Sequence, residues 1–389
     1  MSRTSRDEDI ERRRAKARQK AAEAKNRQAE AGRVKNVKKD KAAVVKLRLI
    51  VIAVLVVCLI ALAFRIISYV SSTSKVHLSD EGLTHAERYE DFIKVHGIDV
   101  SEYQEDINWK KVKSSEADFV FIRAGFRKGE SGELMEDEDF EDNIKAAKKA
   151  GVMTGAYFFS QALSQEEAVE EANYLLDLVR PYDIDLPLAI DYELLDGGRL
   201  QQKVEAGEMP AASNYHDIVV AFCETVEAAG YEACVYGNYD MLTNYMDSTI
   251  LDDMEFIWAA QYGGHCDLEG NYMFWQCAED AKIDGIDGNV DHDIWYIDPD
   301  KVYPTYAKGK KDAVSMGECK VKFNRDSYRL SAHRANPKVQ VSCEGKKLRE
   351  GTHYEISFVR NETVGTGYAI IRGIDSYRDW IAVPFTIVE

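Results

Sequence analysis

The chain has 389 residues, with 50 Lys+Arg, 67 Asp+Glu and a net charge of −17. With 45% hydrophobic and 30% charged residues it is neither wholly disordered nor collagen-like. The length suggests two or three domains, and no overall basic field exists to attract nucleic acid. The charge is unevenly placed. Residues 1–48 hold 17 Lys+Arg against 7 Asp+Glu, a net of +10, which leaves −27 to the rest.

Between these parts, Leu49–Phe64 is an uncharged apolar run flanked by Arg48 and Arg65. With the apolar residues that follow, 47–70 is long enough for a transmembrane helix. The basic excess before it predicts a cytoplasmic tail over 1–46 and an exterior remainder. The expected location is therefore a cell membrane, single-pass, with the N-terminus cytoplasmic, the rest extracellular and the membrane as a partner. The tail is read as a solvated topogenic segment in preference to a lipid-binding one. Residues 71–94 are polar and read as a stalk. Six cysteines (Cys223, Cys234, Cys266, Cys277, Cys319, Cys343) follow the apolar run. Outside the membrane they are expected to form disulfides, and nearest-neighbour pairing is one of fifteen connectivities. No C-x-x-C spacing or clustered His set predicts a metal, and no cofactor is expected.

From 95 to 305, short apolar runs alternate with amphipathic stretches. DFVFIRAGF, MTGAYFFS, LPLAIDYE and EACVYGN read as strands. FEDNIKAAKKAG, closed by Gly151, reads as a helix, as do SQEEAVEEANYLLDLVRPY, capped by Ser164, and SNYHDIVVAFCETVEAAG. This order predicts an α/β domain with buried parallel strands. EFIWAAQY and YMFWQC lie close together and are expected to pair as a hairpin. The fold class is thus a modified, TIM-like βα barrel of about five βα units closed by antiparallel strands. Residues 309–389 carry period-2 stretches such as KVQVSC and HYEISF between Gly and Asn turns, which predicts a small all-β, sandwich-like module.

Asp191 and Glu193 fall at the end of LAIDYE. Residues i and i+2 of a strand share a face, and the C-terminal strand ends of a βα barrel carry its active site. Two adjacent carboxyls push one pKa up and keep one acid protonated, the arrangement that glycosidic cleavage uses. By itself D-x-E is a weak signal. Asp99, ending the first strand, and Asp291, in the last, add acids that barrel closure brings near. Tyr157, Phe159, Tyr236, Trp258, Tyr262 and Trp275 lie at other strand ends. Singly each is most simply packing; beside four acids they form a candidate sugar-stacking set. Gln261 and Gln276 add hydrogen-bonding ends.

HGIDVSEYQ, DFVFIRAGFRKG, GAYFFSQA, PLAIDYE, VYGN, IWAAQY, WQC and GNVDHD, in this order over about 96–297, resemble the glycoside hydrolase family 25 lysozymes. The resemblance implies muramidase activity on peptidoglycan glycan strands, at the β-1,4 bond between N-acetylmuramic acid and N-acetylglucosamine. It makes Glu193 the general acid and Asp191 the carboxylate that stabilises the substrate's acetamido group, with Asp99 and Asp291 as further cleft acids. Asp137, Phe140 and Asn143 form a D-x-x-F-x-x-N element read as structural. His292 and Asp293 stand where Leu-Asn is frequent, and Phe158 where His is frequent. Asp196–Ser213 reads as a loop over the cleft, with Asp196 and Arg199 near the substrate. The C-terminal module resembles Ig-like repeats of bacterial surface proteins, for which a spacer role is preferred to wall binding. The competing function is a catalytically silent wall-binding or scaffold protein; the intact acids favour the enzyme.

Overall fold

The computed structural model describes residues 20, 27, 78–129, 131–208, 212–246, 249–304, 312–330 and 334–389. The basic tail, the apolar run 47–70 and the first part of the expected stalk lie outside the described residues. Among the described residues no helix is long and apolar enough to cross a membrane. The single-pass membrane location and the membrane as a partner are corrected to that extent: no described helix supplies the span. The described helices are amphipathic, with only one stripe apolar, so they pack on a sheet rather than in lipid.

The barrel strands are β1 (Ile93–Val100), β2 (Phe119–Arg127), the short β3 (Leu134–Glu136), β4 (Met153–Ser160), β5 (Leu188–Tyr192), β6 (Ala233–Asn238), β7 (Ile257–Ala260), β8 (Phe274–Ala281) and β9 (Val290–Ile297). Pairing runs β1-β9-β8-β7-β6-β5-β4-β2, and β1 also pairs with β2, so eight strands close on themselves; β3 hangs on the β2 edge. Helices α1 (Trp109–Ser114), α2 (Phe140–Ala150), α3 (Gln165–Val179), α4 (Arg199–Glu205), α5 (Ala212–Ala228) and α6 (Ile250–Asp253) lie between strands. The α3 helix starts where expected: the Ser164 side chain accepts from Glu167 N, and Ala168, Ala172, Leu175, Leu176 and Val179 are its buried stripe. Gly151 ends α2 at φ +80°, a conformation that glycine adopts without strain.

One pairing differs from expectation. Strands β7 and β8 are parallel, and the antiparallel pair is β8 with β9. No helix separates β7 from β8, but residues 261–273 are enough to return the chain to the start of its neighbour, as a parallel connection requires. Residues 78–92, expected as stalk, instead cover the outer face of β1 and β9. Tyr89 stacks on Tyr296 at 4.1 Å, and Thr84 N donates to Gly264 O at 2.7 Å.

Both faces of the strands are buried. Outward residues form one core with the helices, while inward ones form a second core at the amino-terminal end of the barrel. Gly97 and Gly155 make room there: a Cβ would lie 2.4 Å from the Phe119 ring and 2.5 Å from that of Phe121.

The C-terminal all-β region consists of β10 (Val314–Ser315), β11 (Lys320–Phe323), β12 (Ser327–Arg329), β13 (Val339–Cys343), β14 (Lys346–Lys347), β15 (Tyr354–Val359), β16 (Gly365–Gly373), β17 (Tyr377–Arg378) and β18 (Trp380–Val388). A three-stranded sheet (β11-β13-β14) and a four-stranded one (β12-β18-β16-β15) share a core that includes Val341 and Ile371. Val359, Ile370, Trp380 and Ala382 join the barrel's second core and stop its amino-terminal end. Trp380 stacks on Tyr303 at 4.0 Å and meets Trp295 edge-on at 5.5 Å. Arg360 N donates to Asp118 Oδ2 at 2.8 Å.

The expected disulfides are not formed: Cys223, Cys234, Cys266, Cys277, Cys319 and Cys343 are all free thiols. The barrel itself separates some of them. Cys223 packs in the outer core, whereas Cys234 points into the inner one. In the β region Cys319 Sγ donates to Ser315 O at 3.7 Å, and burial pushes the Cys319 thiol up to about 12.

Candidate active site

The inward positions of the strands change character along the barrel axis. On β1 they run Ile93, Val95, Gly97, Asp99; on β2, Phe119, Phe121, Arg123; on β9, read backwards, Ile297, Trp295, Asp293, Asp291. Period-2 alternation thus carries an apolar interior into a polar mouth at the carboxyl ends of the parallel strands, where the antiparallel β9 begins. The mouth is a cleft of about 550 Å³, lined by Asp99, Tyr157, Phe159, Asp191, Glu193, Tyr236, Trp258, Tyr262, Gln276 and Asp291 among others.

On β5, Asp191 points into the cleft and Tyr192 away from it, where the Tyr192 hydroxyl donates to Ala162 O at 2.9 Å. Glu193 follows just past the strand end, and its backbone carbonyl accepts from Gln161 Nε2 at 3.3 Å. Asp99 and Asp291 are direct partners across β1 and β9. Gln276 ties the floor together. Its Nε2 donates to Asp99 Oδ2 at 2.7 Å, while its Oε1 accepts from the Tyr236 hydroxyl at 2.9 Å and the Tyr262 hydroxyl at 2.8 Å. A glutamine amide bridging a carboxylate and two phenols has one orientation that satisfies all three. Trp258 is fixed by its stack on Phe121 at 4.4 Å.

Burial dominates the electrostatics. Burial, with Asp291 adding to it, pushes the Glu193 carboxyl up to about 7. Asp191 is held well above the usual carboxylate range by burial and then by Glu193, with the Arg123 guanidinium opposing the rise. Burial and Asp291 raise Asp99 likewise. Burial raises Asp291 to about 6 against a hydrogen bond with Asp99. Asp191 Oδ1 is buried and receives no hydrogen bond. The floor therefore holds a protonated acid near neutral pH beside an acceptor that lacks a donor, the pairing that acid–base cleavage of an acetal needs.

Ten of the twelve residues anticipated from sequence line this cleft. Trp275 and Gln261 do not. Trp275 is one position out of phase with Gln276, so it points outward, is fully buried and donates from Nε1 to Gln261 O at 2.8 Å. Gln261 lies past the end of β7, and its amide closes a turn with Asp267: Nε2 donates to Oδ2 and Oε1 accepts from the backbone N, both at 2.7 Å. The D-x-x-F-x-x-N residues are structural as read. Asp137 accepts from Arg123 Nε at 2.7 Å, Phe140 is buried, and Asn143 Oδ1 accepts from Trp109 Nε1 at 3.2 Å. The segment 196–213, expected as a loop, contains α4, and Arg199 pairs with Glu167 at 2.6 Å. Leu195 lines the cleft in its place.

Sequence reasoning missed Arg123 and Tyr103. Arg123 sits two positions after Phe121 on the same inward face, a signal present in the DFVFIRAGF strand itself. Its guanidinium lies 5.0 Å from the Tyr103 ring at the cleft lip. Phe158 points outward into the core. His292 also faces outward, with its Nε2 3.0 Å from His96 Nδ1. Neither of these departures from the expected pattern touches the cleft. Among the described residues no group of three His, Cys, Asp or Glu side chains forms a metal site.

Residues 98–286, which hold most of this closed barrel and its carboxylate floor, match Glycosyl hydrolases family 25. The barrel is thus a glycoside hydrolase family 25 domain. Uncharacterized protein YegX of Escherichia coli (strain K12) is 28% identical over 210 residues, covering 52% of this chain and 69% of that protein. Lysozyme M1 of Streptomyces globisporus is 25% identical over 204 residues, covering 51% of this chain and 66% of its own. Among solved structures, the modular autolysin LytC of Streptococcus pneumoniae, in complex with a synthetic peptidoglycan ligand, is 24% identical with a TM-score of 0.44. That match covers 52% of this chain and 47% of LytC, so the chain spans about half of LytC's length.

Proposed function

We propose that the protein is an N-acetylmuramidase that cleaves the β-1,4 bond between N-acetylmuramic acid and N-acetylglucosamine in peptidoglycan. The observation that carries this reading is the Asp191–Glu193 pair: a Glu193 carboxyl raised to about 7 beside the unpartnered, buried Asp191 Oδ1. The family 25 match and the relation to a protein named lysozyme support the choice of substrate.

Glu193, protonated, gives its proton to the glycosidic oxygen as the bond to C1 breaks. The substrate's own acetamido oxygen attacks C1 and forms a charged five-membered ring. Asp191 accepts the acetamido N–H and stabilises that positive charge. Glu193, now ionised, takes a proton from water, which opens the ring at C1. Asp99 and Asp291 border the sugar, and Tyr157, Phe159, Tyr236, Trp258 and Tyr262 supply its apolar walls.

Clearing of purified cell walls by the full chain tests the reading. Wild type is expected to lower turbidity while Glu193→Gln, which keeps the shape and loses the proton, does not. Clearing by Glu193→Gln at the wild-type rate would remove Glu193 from its role.

A further inference from the structure

The mouth of the cleft carries an exposed aromatic side chain that the reaction above does not use. Tyr103 is 76% exposed, the most of any large apolar side chain among the described residues, and it lines the cleft. A lone exposed apolar residue needs no explanation, but Leu195 and Tyr262 are exposed too and line the same cleft. The chain beneath Tyr103 fixes it in place. Tyr103 is the middle residue of a single 3-10 turn (Glu102–Gln104) that follows β1. Ser101 caps this turn: its Oγ accepts from Tyr103 N at 3.4 Å, and its N donates to Gln104 Oε1 at 2.9 Å. Glu105, which closes the turn, is held at φ +49°, a strained conformation for a residue with a side chain. The buried Asp137 ties the turn to β2, since its Oδ2 accepts from Glu102 N at 3.1 Å and from Arg123 Nε at 2.7 Å. Arg123 Nη2 pairs with Glu102 Oε1 at 3.1 Å, and its guanidinium carbon lies over the Tyr103 ring, 5.0 Å from the centroid. One face of the ring thus rests on a fixed cation, and the other is open to the cleft.

We propose that Tyr103 is a stacking platform at the cleft lip for a second sugar ring of the glycan strand, with Arg123 and Asp137 as its positioning residues. The C–H face of a pyranose is apolar and packs on an aromatic ring. The place of Tyr103 on the rim sets which sugar it meets. Around the barrel, β1 and β5 are separated by β2 and β4, three strand spacings of about 4.8 Å each. Tyr103 follows β1 and Glu193 follows β5, so the ring on Tyr103 is not one of the two joined by the bond that Glu193 protonates. The platform therefore adds affinity for a longer strand and leaves the chemical step to the floor. Because Tyr103 is largely exposed, its truncation removes little packing from the fold. The inference rests on the muramidase reading for the identity of the strand.

The experiment has a binding arm and a kinetic arm, both on the full chain. In the binding arm the chain carries Glu193→Gln, so that nothing is cut, and is sedimented with purified peptidoglycan. Adding Tyr103→Ala is expected to weaken binding about tenfold, the size of one lost stacking contact. Adding Tyr103→Phe, which keeps the ring, is expected to leave Kd within about twofold. In the kinetic arm, Tyr103→Ala alone is expected to raise KM for wall clearing about tenfold and to change kcat by less than about twofold, because the platform holds ground state and transition state alike. Its Tm is expected to stay within about 3 °C of wild type. Unchanged binding by the Ala variant, a Phe variant as weak as the Ala one, a loss in kcat without one in KM, or an Ala variant that fails to fold overturns the proposal. The two readings fail separately. If wild type leaves walls intact while binding still weakens with Tyr103→Ala, the muramidase reading falls and the platform stands. If wild type clears walls and Tyr103→Ala matches it in KM and in binding, the platform alone falls.

Discussion

The two ends of the barrel are built from the same strands and do opposite things. At the amino-terminal end the inward residues are Phe119, Phe121, Phe274 and Trp295, sealed by Trp380 from the β region. At the carboxyl end, one or two strand positions further on, they are Asp99, Asp191, Gln276, Asp293 and Asp291. The apolar end holds the strands in register; the polar end accepts the cost of burying acids, which burial drives toward their protonated forms. An acid at the mouth is thus tuned by the packing beneath it.

Changes at the two ends are expected to separate activity from stability. The largest effect is on catalysis. Glu193→Gln is expected to lower kcat by about 10³-fold or more, read as release of soluble muropeptides. Its Tm relative to wild type is expected to rise with pH from about 4.5 to about 7, because a buried acid with a raised pKa loses stability over that interval. Asp191→Asn comes next, with a loss of about 10² to 10³ in kcat and little change in KM, because the stabilised charge exists only in the transition state.

At the other end, Trp380→Ala is expected to cost about 3–5 kcal/mol in denaturant unfolding. Below its transition, activity per folded molecule is expected to stay near wild type. A variant that unfolds no more readily would show that the β region is not part of the barrel's core. The pH profile follows from Glu193: activity is expected to fall as pH rises through about 7, where the general acid loses its proton. The smallest change is Tyr262→Phe. It removes one of two phenol donors to Gln276 Oε1 and leaves that of Tyr236. A loss of about threefold to tenfold is expected, the size of one neutral hydrogen bond.

Asp99, Asp191 and Glu193 were legible because each stands at the end of a strand-like run and the strands alternate with helices. These three follow the rule about carboxyl ends, whereas Asp291 opens the antiparallel β9 and reaches the same mouth by pairing with Asp99. Trp275 misled because a strand aromatic beside Gln276 carries no label for its face, and register decides that. The parallel pairing of β7 and β8 was hidden because no helix marks the crossover. The cover over 78–92 was hidden because few of its residues are apolar; its hold comes from Tyr89, His85 and backbone bonds to distant loops. The docking of the β region was equally silent, since Trp380 and Tyr303 read as ordinary strand residues. Arg123 stood in a recognised strand, yet its place two after Phe121 gained meaning only beside Asp137 and Tyr103.

The most direct test is mass spectrometry of the fragments released from purified peptidoglycan. An intact Glu193 is expected to give fragments with N-acetylmuramic acid at the reducing end, and Glu193→Gln none. Fragments ending in reducing N-acetylglucosamine, or the same fragments from both proteins, would contradict cleavage by Glu193 at the muramic acid bond.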